Sequence, residues 1–160
     1  MLINIKNIMN KILFITNLLM GCVLSRFAIS KLTGWEISIQ AFIEMAKPLG
    51  LDPTFFRVST GIIIAAVVIA YLTTAIFSLL RNNTVIKSKV QFTKWATFSN
   101  LFGLLTMTGA LIAEFSLRVH PKWLLVYIAC TIIIFSVLNI IILNVQSIII
   151  INKQKSTVCN

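Results

Sequence analysis

The chain has 160 residues, of which 58% are hydrophobic and only 11% charged. A soluble domain is about 45–50% apolar and about 25% charged, so the composition excludes a soluble enzyme, a disordered chain and a small disulfide scaffold, and points to an integral membrane protein. The net charge of +10 would suggest nucleic acid in a soluble protein. Here no basic stripe interleaves with aromatic residues, so no nucleic-acid partner is expected, and the lipid bilayer is. A helix that crosses the hydrocarbon needs about 20 mostly apolar residues. Four segments meet that requirement: residues 11–30, 54–80, 95–114 and 123–143, with 144–160 left as a tail. Their apolar runs are continuous, unlike the alternating strands of a barrel, and a helix pairs its backbone groups within one segment. The expected fold is all-α: one domain of four transmembrane helices in an antiparallel bundle.

The first span raises the question of processing, because Leu19-Met20-Gly21-Cys22 resembles a lipoprotein cleavage box. Met20 is large for that box, and the apolar run continues past Cys22 through Ile29. The span is therefore expected to stay uncleaved. The segment between spans one and two opens with Thr33-Gly34 and closes with Leu49-Gly50-Leu51-Asp52-Pro53, both turn signals. Between them Trp35, Ile39, Phe42, Ile43 and Ala46 can share one face, opposite Glu36, Gln40, Glu44 and Lys47. This predicts a short amphipathic helix over 35–47 at the membrane surface or capping the bundle. Span two places Ala66, Ala70, Thr74 and Ser78 in one row, with Gly61 and Ala65 as a second small pair. Gly109 and Ala113 offer the same in span three. Small residues let backbones approach in lipid, so these rows are expected at helix–helix contacts. Asn100, Thr106 and Asn139 are expected to act as hydrogen-bonding glue between spans.

The charges fix the expected orientation. The side with both termini and the loop between spans two and three holds Lys6, Lys11, Arg81, Lys87, Lys89, Lys94, Lys153 and Lys155, and no acid. The other side holds six basic residues and all four acids. The positive-inside rule then puts both termini in the cytoplasm. On the outer side Arg26, Lys31, Arg57, Glu114, Arg118, His120 and Lys122 fall near the ends of spans. A charge within a span pairs or snorkels. Arg26 and Glu114 lie at similar depth, which makes them an expected pair. Arg26, Lys31, Glu114 and Arg118 are the candidate ligand-binding cluster, a polar mouth suited to a quinone head, a lipid headgroup or an anion. No catalytic residue and no metal site is expected, since the single histidine has no second ligand beside it and no C-x-x-C pair occurs. Cys22 and Cys130 are expected to be buried in their spans, and Cys159 lies at the C-terminus.

Several stretches carry a family resemblance. Gly21 followed by Lys31-Leu32-Thr33-Gly34, then Leu49-Gly50-Leu51-Asp52-Pro53 before span two, then Met107-Thr108-Gly109-Ala110 with Ala113-Glu114-Phe115 and Arg118 before Pro121, resemble the DoxX-like family of small four-helix bacterial membrane proteins. The chain departs from the family in span two, where Gly61-Ile62-Ile63-Ile64 has no acid. The resemblance implies a multi-pass protein of the bacterial cytoplasmic membrane. It also implies an accessory subunit of a redox-linked or quinone-associated complex, with quinone as the cofactor class and a membrane redox partner or a second copy as the partner. A small-solute or lipid transporter, or a scaffold without a ligand, remain as alternative readings.

Overall fold

The computed structural model describes residues 2–80, 89–118 and 121–158. Five α-helices make up the fold of these residues: α1 (Leu2–Thr33), α2 (Glu36–Ala46), α3 (Pro53–Leu80), α4 (Lys89–Leu117) and α5 (Trp123–Val158). Four of them contain stretches long and apolar enough to cross a bilayer: Asn7–Thr33, Pro53–Leu80, Gln91–Leu117 and Trp123–Ile148. The expected all-α, four-span architecture is what the chain adopts. The helices outrun the spans expected from the sequence at most ends, because the backbone keeps its internal hydrogen bonds into the interfacial region and beyond. α5 alone runs from Trp123 through most of the expected tail.

Local chemistry explains the helix boundaries. α1 stops at Gly34, whose φ of 71° is left-handed, and the Trp35 amide reaches back to the Ser30 carbonyl at 3.1 Å. That is the 6→1 closure of a Schellman motif. Arg57 on α3 donates through Nη1 to the Lys31 carbonyl, another free acceptor at this helix end. α3 starts at Pro53, which lacks the amide hydrogen that the first turn cannot use. Asp52 caps it, its Oδ1 accepting from the Thr54 amide at 2.9 Å.

The helices run up and down around a common axis. α1 packs most closely on α3, and α4 on α5; α3–α4 and α1–α5 contacts close the ring. Outward rows such as Ile62, Ile69 and Ile76 on α3 are exposed, a seven-residue spacing that keeps one face toward lipid. The α1–α3 seam is tight because Gly21 fits against Leu72 and Gly61 against Leu32; a Cβ on either would come within 2.9 Å of those side chains. At the centre of the bundle Tyr71 is fully buried. Its hydroxyl meets Ser136 Oγ on α5 at 2.8 Å and occupies a notch at Gly103 on α4, where an added Cβ would lie 1.8 Å from Tyr71 Oη.

Toward the termini the core is polar. Thr16 Oγ1 donates to Asn139 Oδ1 at 2.8 Å, Asn139 Nδ2 to Asn100 Oδ1 at 2.9 Å, and Asn100 Nδ2 to the Ala96 carbonyl at 2.8 Å, with Asn17 Oδ1 at 3.4 Å. Asn17 Nδ2 in turn reaches the Leu13 carbonyl at 2.8 Å. This chain of amides ties α1, α5 and α4 together, and all three asparagines are completely buried. Below it Gln146 Nε2 donates to Asn10 Oδ1 at 3.2 Å and Ser78 Oγ to the Asn10 carbonyl at 2.8 Å. Asn100 and Asn139 thus join spans as expected, whereas Thr106 bonds back to Phe102 of its own helix.

Four packing expectations are corrected. Ala66 is exposed and drops out of the small-residue row, while Ala70, Thr74 and Ser78 are buried. Gly109 is exposed, with nothing within 4 Å of the place a side-chain methyl would take; Gly103 is the close-approach glycine of α4 instead. Cys22 and Cys130 are both exposed on the outer face of the bundle, for in lipid an apolar thiol costs nothing there. The expected face of α2 is rotated. Ser38, Phe42, Met45 and Ala46 pack inward, and Trp35 and Ile43 are exposed, because an interfacial helix has two apolar neighbours, the bundle and the lipid.

Candidate functional site

α2 lies across one end of the bundle, the end away from the two termini. It is held there by Phe42, which meets Phe56 of α3 edge to face at 5.1 Å. Beneath it a cavity of about 370 Å³ opens between the four spans, within the usual range of about 300–1,000 Å³ for a ligand site. Its roof is Ala41, Phe42 and Met45 of α2, and its floor is Leu24, Ile64, Met107 and Ala129, all part of the buried core. On one side it reaches Ile63 of α3 and Leu105, Gly109 and Ala110 of α4, which are exposed. α3 and α4 meet at the Tyr71–Gly103 contact, and toward α2 the cavity lies between them. Thr60 and Thr106 are in the lining, but their hydroxyls bond back to their own helices.

Two charged groups line this apolar space, Lys31 and Glu114. Glu114 is buried in the last turn of α4. Its Oε1 accepts from Arg118 Nη1 at 2.6 Å and from the Lys122 amide at 2.7 Å. It therefore neutralises a cation one turn on and anchors the connection into α5. The partners of an i, i+4 pair face each other on a helix, and here the end of α4 and α2 shield the pair from water. Arg118 is equally buried, and its Nε faces Glu44 of α2 at 3.6 Å. Glu114 Oε2 has no hydrogen-bond partner among the described residues. The Lys31 ammonium stands 4.4 Å from the centre of the Phe42 ring, a cation–π contact. Among the described residues it makes no ion pair and no hydrogen bond.

Of the four residues expected to cluster, three converge: Lys31, Glu114 and Arg118. Arg26 does not. It is exposed, makes no ion pair among the described residues, and is absent from the cavity lining. Leu24 and Ala28 face the core, and a residue midway between them is turned about 200° away at 100° per residue. The expected Arg26–Glu114 pair is therefore replaced by Glu114–Arg118. His120 and Cys159 lie outside the described residues. Sequence reasoning assigned Glu44 to the solvated face of α2 and gave Arg57 no partner; the contact of Glu44 with Arg118 and the capping of α1 by Arg57 depend on how α2 folds back. Among the described residues no group of three histidine, cysteine or acidic side chains could hold a metal ion.

Four long apolar helices and an amphiphile-sized cavity at one end define this as a multi-pass α-helical membrane protein. No protein-family model, characterised protein or solved structure matches the chain.

Proposed function

We propose that the protein is a DoxX-like accessory subunit of a redox-linked complex in the bacterial cytoplasmic membrane, and that it holds the head of a quinone in the cavity beneath α2. Both termini face the cytoplasm in this reading, and α2 lies on the outer side. The observation that carries it is the pairing of an apolar cavity of about 370 Å³ with just two charged groups in its lining, Lys31 and Glu114. Apolar walls with a few placed polar groups are the usual make-up of a small-molecule site. A quinone carbonyl accepts a hydrogen bond from an ammonium, and its chain matches the apolar lining. The cavity ends blind, because Tyr71 and the amide chain fill the centre of the bundle, and this favours retention of a ligand over its passage.

The test is purification in mild detergent from membranes rich in quinone, followed by solvent extraction and chromatography. The expected result is quinone at a sizeable fraction of one per chain, reduced at least about tenfold by Lys31→Met, since a lost charged hydrogen bond is worth about 1.5–3 kcal/mol. Redox proteins co-purifying with the wild-type chain would support the accessory role. Absence of quinone from the wild-type protein overturns the assignment.

A further inference from the structure

Resting on the quinone reading, we infer that the site distinguishes the two redox forms of its ligand and prefers the quinol. The preference comes from the hydrogen-bonding capacity left over at the head of the cavity. Lys31 presents an ammonium, which only donates, and no described group accepts from it. Glu114 presents a carboxylate oxygen, Oε2, which only accepts, while Oε1 is used by Arg118 and the Lys122 amide. Lys31 and Arg118 are balanced by Glu114 and Glu44, so the head of the cavity is neutral in sum and suits a neutral head rather than a phosphate. Such a head must accept one hydrogen bond and donate another.

A quinol hydroxyl does both. Its oxygen accepts from Lys31 and its hydrogen goes to Glu114. A quinone carbonyl satisfies Lys31 alone and turns a lone pair toward Glu114 Oε2, leaving a buried acceptor without a donor. Sites that hydrogen-bond a hydroxyl reject analogues lacking it for this reason. Chain placement agrees with a membrane-borne ligand. The gap between α3 and α4 is bordered by the exposed Ile63, Leu105 and Ala110, and Gly109 has open space beside it. A prenyl chain can leave the cavity into lipid there.

The experiment measures dissociation constants of a decyl-benzoquinol and the matching decyl-benzoquinone for the purified full chain in detergent, the quinol arm under anaerobic reduction. The quinol is expected to bind at least about tenfold more tightly. Glu114→Gln keeps its oxygen toward Arg118 and the Lys122 amide and so turns its NH2, a donor, to the ligand; it is expected to bring the two constants to within about twofold by tightening the quinone and weakening the quinol. Lys31→Met is expected to weaken both forms and leave their ratio as in the wild type. Because Glu114→Gln also removes one of the two carboxylates that face Arg118, the wild-type ratio and the Lys31→Met ratio stand as the test should that variant fail to fold. Saturable binding of both forms with equal constants, or tighter binding of the quinone, would overturn the preference while leaving a quinone site in place. Binding of neither form would overturn the quinone reading itself, and the preference with it.

Discussion

Gly103→Ala puts the central contact of the bundle to a quantitative test. In an exposed helix interior, replacing glycine by alanine stabilises by about 1 kcal/mol. At Gly103 the sign is reversed. The new Cβ would lie 1.8 Å from Tyr71 Oη and 2.4 Å from Cζ, against an ordinary carbon contact of about 3.5–4.0 Å. Tyr71 is fully buried and its ring is rigid, so either the ring leaves the notch or α3 and α4 part. Overpacking of this kind costs about 1–3 kcal/mol. Separation of Tyr71 from Ser136 leaves buried hydroxyls unpaired, at about 1–3 kcal/mol more. After the gain in helix propensity the expected net loss is about 1–5 kcal/mol. The assay is unfolding in mixed micelles by increasing mole fraction of SDS, followed through the fluorescence of the three tryptophans. Gly109→Ala is the control: with nothing within 4 Å of its added methyl, it should be neutral or slightly stabilising. Tyr71→Phe should not rescue Gly103→Ala, since Cζ remains in the way, whereas Tyr71→Leu should recover part of the loss as a favourable coupling. Stability of Gly103→Ala equal to that of Gly109→Ala would refute the account of the notch.

Two further outcomes follow from the polar contacts. Arg118→Ala should cost about 3–5 kcal/mol in the same assay, because it leaves the buried Glu114 without its cation; Glu114→Ala should cost less, because Arg118 keeps Glu44 at 3.6 Å. The double variant should lose distinctly less than the sum, and additive losses would show that the two charges do not interact. Asn100→Leu removes the middle of the amide chain and strands the groups on Asn17 and Asn139; a loss of about 1–2 kcal/mol is expected by SDS unfolding, and no loss would mean that the amides find other partners.

The four spans could be read in the sequence because hydropathy over about 20 residues depends on the lipid and not on neighbouring helices. Asp52-Pro53 and Thr33-Gly34 announced helix ends for equally local reasons. The azimuth of each helix was less legible. A span that is apolar all round carries little record of which side faces lipid, so Gly109 was expected in a contact that Gly103 makes, and Cys22 was expected inside. Asn17 was overlooked although it interrupts an apolar run, the same signal that singled out Asn100 and Asn139. At the site, Lys31, Glu114 and Arg118 were found from their depth alone. Depth could not separate them from Arg26, whose bearing around α1 is set by Leu24 and Ala28 packing inward.

The amide chain also bears on the order in which the protein is made. α1 and α3 join through glycine-lined apolar contacts, so they can form a stable hairpin in the membrane as soon as both have emerged. Asn17 on α1 meets its cross-bundle donor only on α4, and Asn100 on α4 receives its donor from Asn139 on α5. Until the last span arrives, Asn100 Oδ1 is without its cross-bundle donor. The amide chain is thus complete only in the finished bundle, once α5 has closed it against α4 and α1.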